Sequence, residues 1–263
     1  MISSTQNPKI KRIRLLQDQS RSRKKENAFV IEGVRLLDEA VKTRQIPELV
    51  IYTTDLDSRG QQLVAALQKQ RVPCEEVSRE IIKAASDTES PQGILAILPH
   101  ISLPVPTESN FIMIADEIRD PGNLGTLLRT SAAAGVNSLL VSPGTVDPFS
   151  PKVVRAAMGA HFRLPILPCS WEKIREITEG LTVFASDMKK GTRIWDVDLT
   201  APLAIIIGGE ARGLGKNASD LADRWLHIPM SGGTESLNAA AAGAVLMFEV
   251  HRQRTMEQVG KAH

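Results

Sequence analysis

The sequence predicts two α/β units in one chain, the second built on a parallel sheet. Three observations predict this. Short apolar runs alternate with helical stretches along most of the chain, the runs of the second half are continuously apolar, and a proline-rich break separates the halves. Strands that are apolar on both faces and alternate with helices imply a sheet covered on both sides. The break, residues 98–106, carries three prolines and no helical periodicity. It divides the chain into a first domain over 1–98, a linker over 99–108 and a second domain over 109–263.

The 263 residues suffice for two ordinary domains, and 42% apolar with 24% charged residues is the balance of a globular protein. No apolar run approaches the ~20 residues that span a bilayer, so no membrane segment is expected. Residues 1–11 are polar and basic, unlike a secretory signal, and Cys74 and Cys169 stand far apart without metal-ligand spacing. The expectation is a cytoplasmic protein with reduced thiols and no metal.

In the first half, Asn7 and Pro8 open a helix as cap and first-turn residue. Apolar runs at 29–31, 49–52 and 93–98 read as strands, with helices over 34–42 and 59–70. Net charge is only +2, yet Lys9, Lys11, Arg12, Arg14, Arg21, Arg23, Lys24 and Lys25 face Asp18 alone between residues 9 and 25. Such a stripe is either a solvated helix face or a surface that neutralises phosphates.

In the second half, strands are expected at 111–115, 138–141, 181–185, 203–207 and 225–228, and a closing helix at 236–252. Ligands of parallel sheets bind at the loops leaving the carboxyl ends of strands. Three such loops stand out. The first runs from Asp120 through Pro121, Gly122, Asn123 and Gly125 to Arg129, with Asn123 placed to cap the following helix. The second holds Gly208, Gly209, Glu210, Gly213 and Gly215. It is not a phosphate-cradling P-loop, because Glu210 stands where that pattern needs glycine and Asn217 where it needs Ser or Thr; the dinucleotide glycine spacing is also absent. The third runs from Ile228 and Met230 to Ser236, Leu237 and Asn238, with Ser236 as the expected cap of the last helix. Taken singly, each loop has a purely structural reading as a capped helix or a turn.

In this order and spacing the three loops resemble the signature motifs of the SpoU-TrmH family of RNA methyltransferases. The first motif is Asn123, Gly125 and Arg129; the second is Gly208, Glu210, Gly213 and Leu214; the third combines Ile228-Pro229-Met230 with Ser236-Leu237-Asn238. The first domain is similar to the substrate-binding domain of many members, itself like small ribosomal RNA-binding proteins, through residues 7–11 and 29–33. The resemblance implies S-adenosylmethionine as methyl donor, a C-terminal deep trefoil knot that forms its site, a homodimer of knotted domains, and RNA, ribosomal rather than transfer, as substrate. It implies cofactor contacts at Gly208, Gly209, Ile228, Met230, Leu237 and Asn238. Catalysis falls on Arg129, with Asn123, Glu210, Ser236 and Asn238 around it, and the basic stripe becomes an RNA surface at Lys9, Lys11, Arg12, Arg14, Arg23 and Lys24.

The implied reaction is attack of a ribose 2′-oxygen on a sulfonium methyl, which needs no metal because the leaving group is neutral. The difficulty is the weakly acidic hydroxyl. A guanidinium rarely gives up its proton, so Arg129 is either an unusual base or a stabiliser of the alkoxide, with Glu210 as its partner. Asp116 and Glu117 follow the first strand of the second domain, where they can line the crevice, and are either structural or RNA-facing. Lys152 and Arg155 are either RNA contacts or a solvated face. His161 and His227 read as structural, and Trp171, Trp195 and Trp225 as core. Competing readings are an RNA-binding protein without catalysis, a base-methylating enzyme, and a transfer RNA substrate.

Overall fold

The computed structural model describes residues 2–187, 190–209, 213–231 and 236–261. They form two compact units: Met1–Ile101 together with Phe149–Phe162, and Ser102–Pro148 together with Arg163–His263.

The first unit begins with α1 (Pro8–Asp18) and α2 (Ser20–Glu26), then β1 (Ala28–Glu32), α3 (Val34–Lys42), β2 (Leu49–Tyr52), α4 (Ser58–Lys69), β3 (Cys74–Glu76), α5 (Arg79–Ala85) and β4 (Ile94–Pro99). Asn7 accepts a hydrogen bond from Lys9 N at 2.9 Å and Pro8 sets the first turn, the start that the sequence predicts. The sheet order is β1-β4-β2-β3, with β4 antiparallel to both neighbours and β2 parallel to β3. Side chains alternate across it with the two-residue strand period. Phe29 and Ile31 join Leu37, Leu63 and Leu67 on one face, while Val30 and Ile51 join Ile10, Ile13, Leu16 and Ile81 on the other.

The second unit contains β5 (Phe111–Asp116), α6 (Pro121–Ala134) and β6 (Ser138–Val141). After the intervening helix α7 (Pro151–Ala157) come β7 (Ile166–Pro168), α8 (Trp171–Ile177), β8 (Thr182–Ser186), β9 (Thr192–Arg193) and β10 (Leu203–Gly208). The chain closes with α9 (Lys216–Leu221), β11 (Arg224–His227) and α10 (Ala239–Lys261). Its seven strands are all parallel in the order β7-β6-β5-β10-β8-β11-β9. Central β5 and β10 carry the most apolar sequences because both of their faces are covered. Ile112, Ile114, Leu140, Val183, Ala204 and Ile206 pack with Ile174 of α8 and Ala218 of α9. Helix α10 packs on α6 and β10, and a Cβ added at Gly243 would strike Leu127, so glycine permits that approach. The strands without a sequence signal are β3, β7 and β9, which lie at sheet edges and carry half-buried or exposed residues.

One segment departs from a division near residue 105. Residues Phe149–Phe162, including α7, belong to the first unit, although they lie between strands of the second. Phe149, Val154 and Phe162 fill its core, and the Phe149 ring sits 5.2 Å from that of Phe29. Arg155 pairs with Asp87 at 2.9 Å, and buried His161 packs against the rings of Phe29 and Phe149. Trp195 also departs from expectation: it is 52% exposed rather than core. Replacing Phe149 by Ala removes an aromatic plug worth about 3 kcal/mol or more. Hydrogen exchange of the β1 amides is therefore expected to accelerate by roughly two orders of magnitude, whereas unchanged exchange would remove this segment from the core.

Candidate functional site

Three strand ends and the loops leaving them build the site. At the end of β5, Asp120 caps α6 by accepting from Asn123 N at 2.8 Å, so the cap is Asp120 and not Asn123. Asn123 instead sits in the first turn, where its side chain makes a tertiary bond. Asp116, 1% exposed, accepts from Gly215 N at 2.8 Å and from Ser142 Oγ at 3.0 Å. Burial pushes its carboxyl above the ordinary range, and those two bonds pull it partly back. The sequence marks Asp116 only as near the crevice; the structure makes it the anchor of the glycine loop that follows β10.

The described residues at the two ends of that loop pack on one another and on the end of β5. Gly213 N donates to Gly209 O at 3.0 Å, and a Cβ at Gly208 would lie 2.6 Å from the Gly213 backbone. A Cβ at Gly209 would lie 2.5 Å from Glu117 O. Backbone approaches this close admit only glycine. Beside the loop lies a cavity of roughly 310 Å3. Gly208, Gly209, Ile228, Met230, Leu237 and Asn238, which the family resemblance assigns to the cofactor, all line it, together with Leu214, Ser236 and Asp187. Apolar walls beside glycine backbone suit a ligand with a flat apolar part and polar ends.

Asn238 caps α10: its Oδ1 accepts from Ala240 N at 2.9 Å and Ala241 N at 3.2 Å. Ser236, the cap expected from sequence, lies exposed ahead of the helix and lines the cavity. With Oδ1 engaged in capping, Asn238 Nδ2 donates to Asn123 Oδ1 at 2.9 Å and ties the start of α10 to the start of α6. Arg129 lies on the exposed stripe of α6 with Gly122 and Thr126, and among the described residues it has no ion pair. Glu210 lies outside the described residues.

The basic stripe of the first unit divides in two. Arg23 is 4% exposed and donates to Leu16 O at 2.6 Å and Gln17 O at 2.9 Å, so it closes the end of α1 and is not an RNA contact surface. Lys9 pairs with Glu75, and Arg12 is shared between Glu26 and Glu48, each at 2.6 Å. Lys11, Arg14 and Lys24 are exposed. The three glutamates that engage the stripe come from α2, the approach to β2, and β3, which no local reading connects to it.

This parallel-sheet unit with its glycine-lined cavity is of the methyltransferase class, as the comparisons bear out. The model of the SpoU rRNA methylase family matches residues 110–248, and that of the MRM3-like substrate binding domain matches 7–96. The chain is 30% identical to the 23S rRNA (guanosine(2553)-2′-O)-methyltransferase RlmP of Bacillus subtilis, over 95% of this chain and 98% of the relative. The AdoMet-bound rRNA methyltransferase of Sinorhizobium meliloti superposes with a TM-score of 0.84 at 30% identity, covering 95% and 97% of the two chains. The SpoU methyltransferase AviRb of Streptomyces viridochromogenes with AdoMet gives 0.83 at 25% identity, covering 95% and 99%. The chain belongs to the SpoU rRNA methylase family.

Gly208→Ala drives its Cβ into the Gly213 backbone. Affinity for S-adenosylmethionine, measured by calorimetric titration, is expected to fall at least about tenfold, or ~1.4 kcal/mol. Unchanged affinity would detach this loop from the binding cavity.

Proposed function

We propose that this protein transfers a methyl group from S-adenosylmethionine to a ribose 2′-hydroxyl of ribosomal RNA. The observation that carries the reading is the Asn123–Asn238 bond at the rim of the cavity, with Arg129 farther along the same helix. Family membership and the RNA-modifying relatives point the same way.

The donor fits the cavity: Ile228, Leu214 and Leu237 offer apolar contact, and the closely packed backbone of Gly208 and Gly209 leaves room for a ligand edge. When bound, S-adenosylmethionine supplies an electrophilic methyl group on a sulfonium whose leaving group is neutral. The chain's own work is to place the ribose and manage the charge on its oxygen. Asn123 and Asn238 hold the substrate edge of the cavity, and their mutual bond fixes both amides before RNA arrives. Preorganised donors of this kind lower a barrier without reorganising during the reaction. Arg129 lies open to solvent and to RNA, so it acts as a cation that binds the neighbouring phosphate and steadies the developing alkoxide. Ser236 contributes a hydroxyl at the cavity wall.

The same reading includes a knotted path for the C-terminal segment and a homodimer. The placement of β11 between β8 and β9, followed by return of α10 onto α6, supports the former. Exposed Phe248 and Met256 on α10 support the latter.

Labelled methyl transfer into unmodified total RNA, followed by alkaline hydrolysis, tests the function. Label is expected in alkali-resistant dinucleotides of ribosomal RNA. Arg129→Ala is expected to reduce transfer by about 10²-fold or more while cofactor affinity stays within about twofold. Label in mononucleotides would mean base methylation, label confined to transfer RNA would change the substrate, and near-normal turnover by the variant would remove Arg129 from the mechanism.

A further inference from the structure

The first unit carries an open groove of about 580 Å3, within the range of ligand clefts. Arg35 of α3, Arg59 of α4, and Arg79 and Lys83 of α5 line it, against Asp55 and Asp57. Both carboxylates are already engaged. Asp55 pairs with Arg79, and Asp57 caps α4 by accepting from Gly60 N at 2.7 Å. Arg59 pairs with Asp38, whereas Arg35 and Lys83 are exposed and have no ion pair among the described residues. The groove therefore carries four cations against two carboxylates, and two of the cations stand outside any ion pair among the described residues.

Its frame is built rather than incidental. The Glu32 carboxylate at the end of β1 accepts from Ser86 Oγ at 2.7 Å, Thr88 Oγ1 at 2.9 Å and Gln92 N at 3.2 Å, which fixes the segment 86–92 as one wall. Gly93, at φ +78°, is held by Thr53 N donating to its carbonyl at 2.9 Å, and a Cβ there would lie 2.6 Å from Thr53 Oγ1. A cleft of fixed shape loses little entropy on binding. By contrast, three cations of the α1–α2 stripe are consumed within the unit.

We propose that this groove, rather than the α1–α2 stripe, is where the first unit grips RNA. It would take a single-stranded nucleotide, with its flanking phosphates on Arg35 and Lys83. The inference rests on the proposed RNA substrate. A concave groove of this volume suits an unstacked base better than a duplex. Aromatic residues are only 4% of the chain, so the planar guanidinium of Arg59 or Arg35 supplies the stacking face.

The test compares the full-length wild type with Arg35→Glu/Lys83→Glu and with Lys11→Glu/Arg14→Glu. Each is titrated with a short labelled oligoadenylate and with an RNA duplex of equal length across a salt series. Wild type is expected to prefer the single strand. The groove variant should bind it at least about tenfold more weakly, with a salt slope flatter by about 1.4, or ~0.7 per lost phosphate contact. The helix variant should change less than about threefold. Arg35→Gln/Lys83→Gln, a gentler change at exposed positions, is expected to reproduce the loss with an unaltered circular dichroism spectrum. In methyl transfer the groove variants should raise KM for ribosomal RNA while kcat and cofactor affinity hold. Loss in the helix variant instead, equal duplex binding, or no wild-type binding of the oligomer would overturn the proposal. Absence of wild-type methyl transfer would overturn the assigned function, while the binding comparison still judges the groove.

Discussion

The amide of Asn238 is the constraint on which the second unit's chemistry depends. One side chain performs two jobs with its two ends: the oxygen satisfies the first free N–H groups of α10, and the nitrogen reaches Asn123 on α6. Aspartate has no donor, and serine has a single short hydroxyl in place of two separated polar atoms. The capping duty locks the amide's orientation, and the locked amide then locks Asn123. The close passage of Gly243 against Leu127 keeps the two helices at the separation this bond requires.

Asp116 plays the corresponding part for the cofactor side. A carboxylate buried at the end of a central strand is costly unless its lone pairs are occupied. Here Ser142 and the backbone of Gly215 occupy them, from the residue after β6 and from the loop after β10. The loop is thus held at its far end by a polar anchor and at its near end by glycine-to-glycine packing. The cavity wall is set by the sheet rather than by the ligand.

What could be read from the sequence follows from how local each signal is. Strands β5, β6 and β10 announce themselves as continuous apolar runs because both their faces are buried. Asn7 with Pro8 marks a helix start because capping acts within three residues. The residues around the cavity were also legible, since their motifs are contiguous. The caps of α6 and α10 fall at Asp120 and Asn238 rather than at Asn123 and Ser236, because all four side chains can cap and only the chain direction at the helix entrance decides between them. The fate of Arg12 and Arg23 was not legible, because a cation's partner depends on tertiary placement of Glu26 and Glu48 and on where α1 ends. Likewise, nothing in the sequence of 149–162 says which of two cores its phenylalanines will enter.

That last segment has a consequence for how the protein is made. The first unit ends twice, once at Ile101 and again at Phe162. During synthesis its four-stranded sheet is complete long before Phe149, Val154 and Phe162 emerge to cover one face. A nascent chain halted between those points carries an open apolar face, and all of β5, α6 and β6 has been added by the time the cover arrives. The two units are therefore interleaved in time as well as in sequence. A gene fragment cut at the proline-rich break yields one product missing its lid and another carrying a surplus strip of phenylalanines.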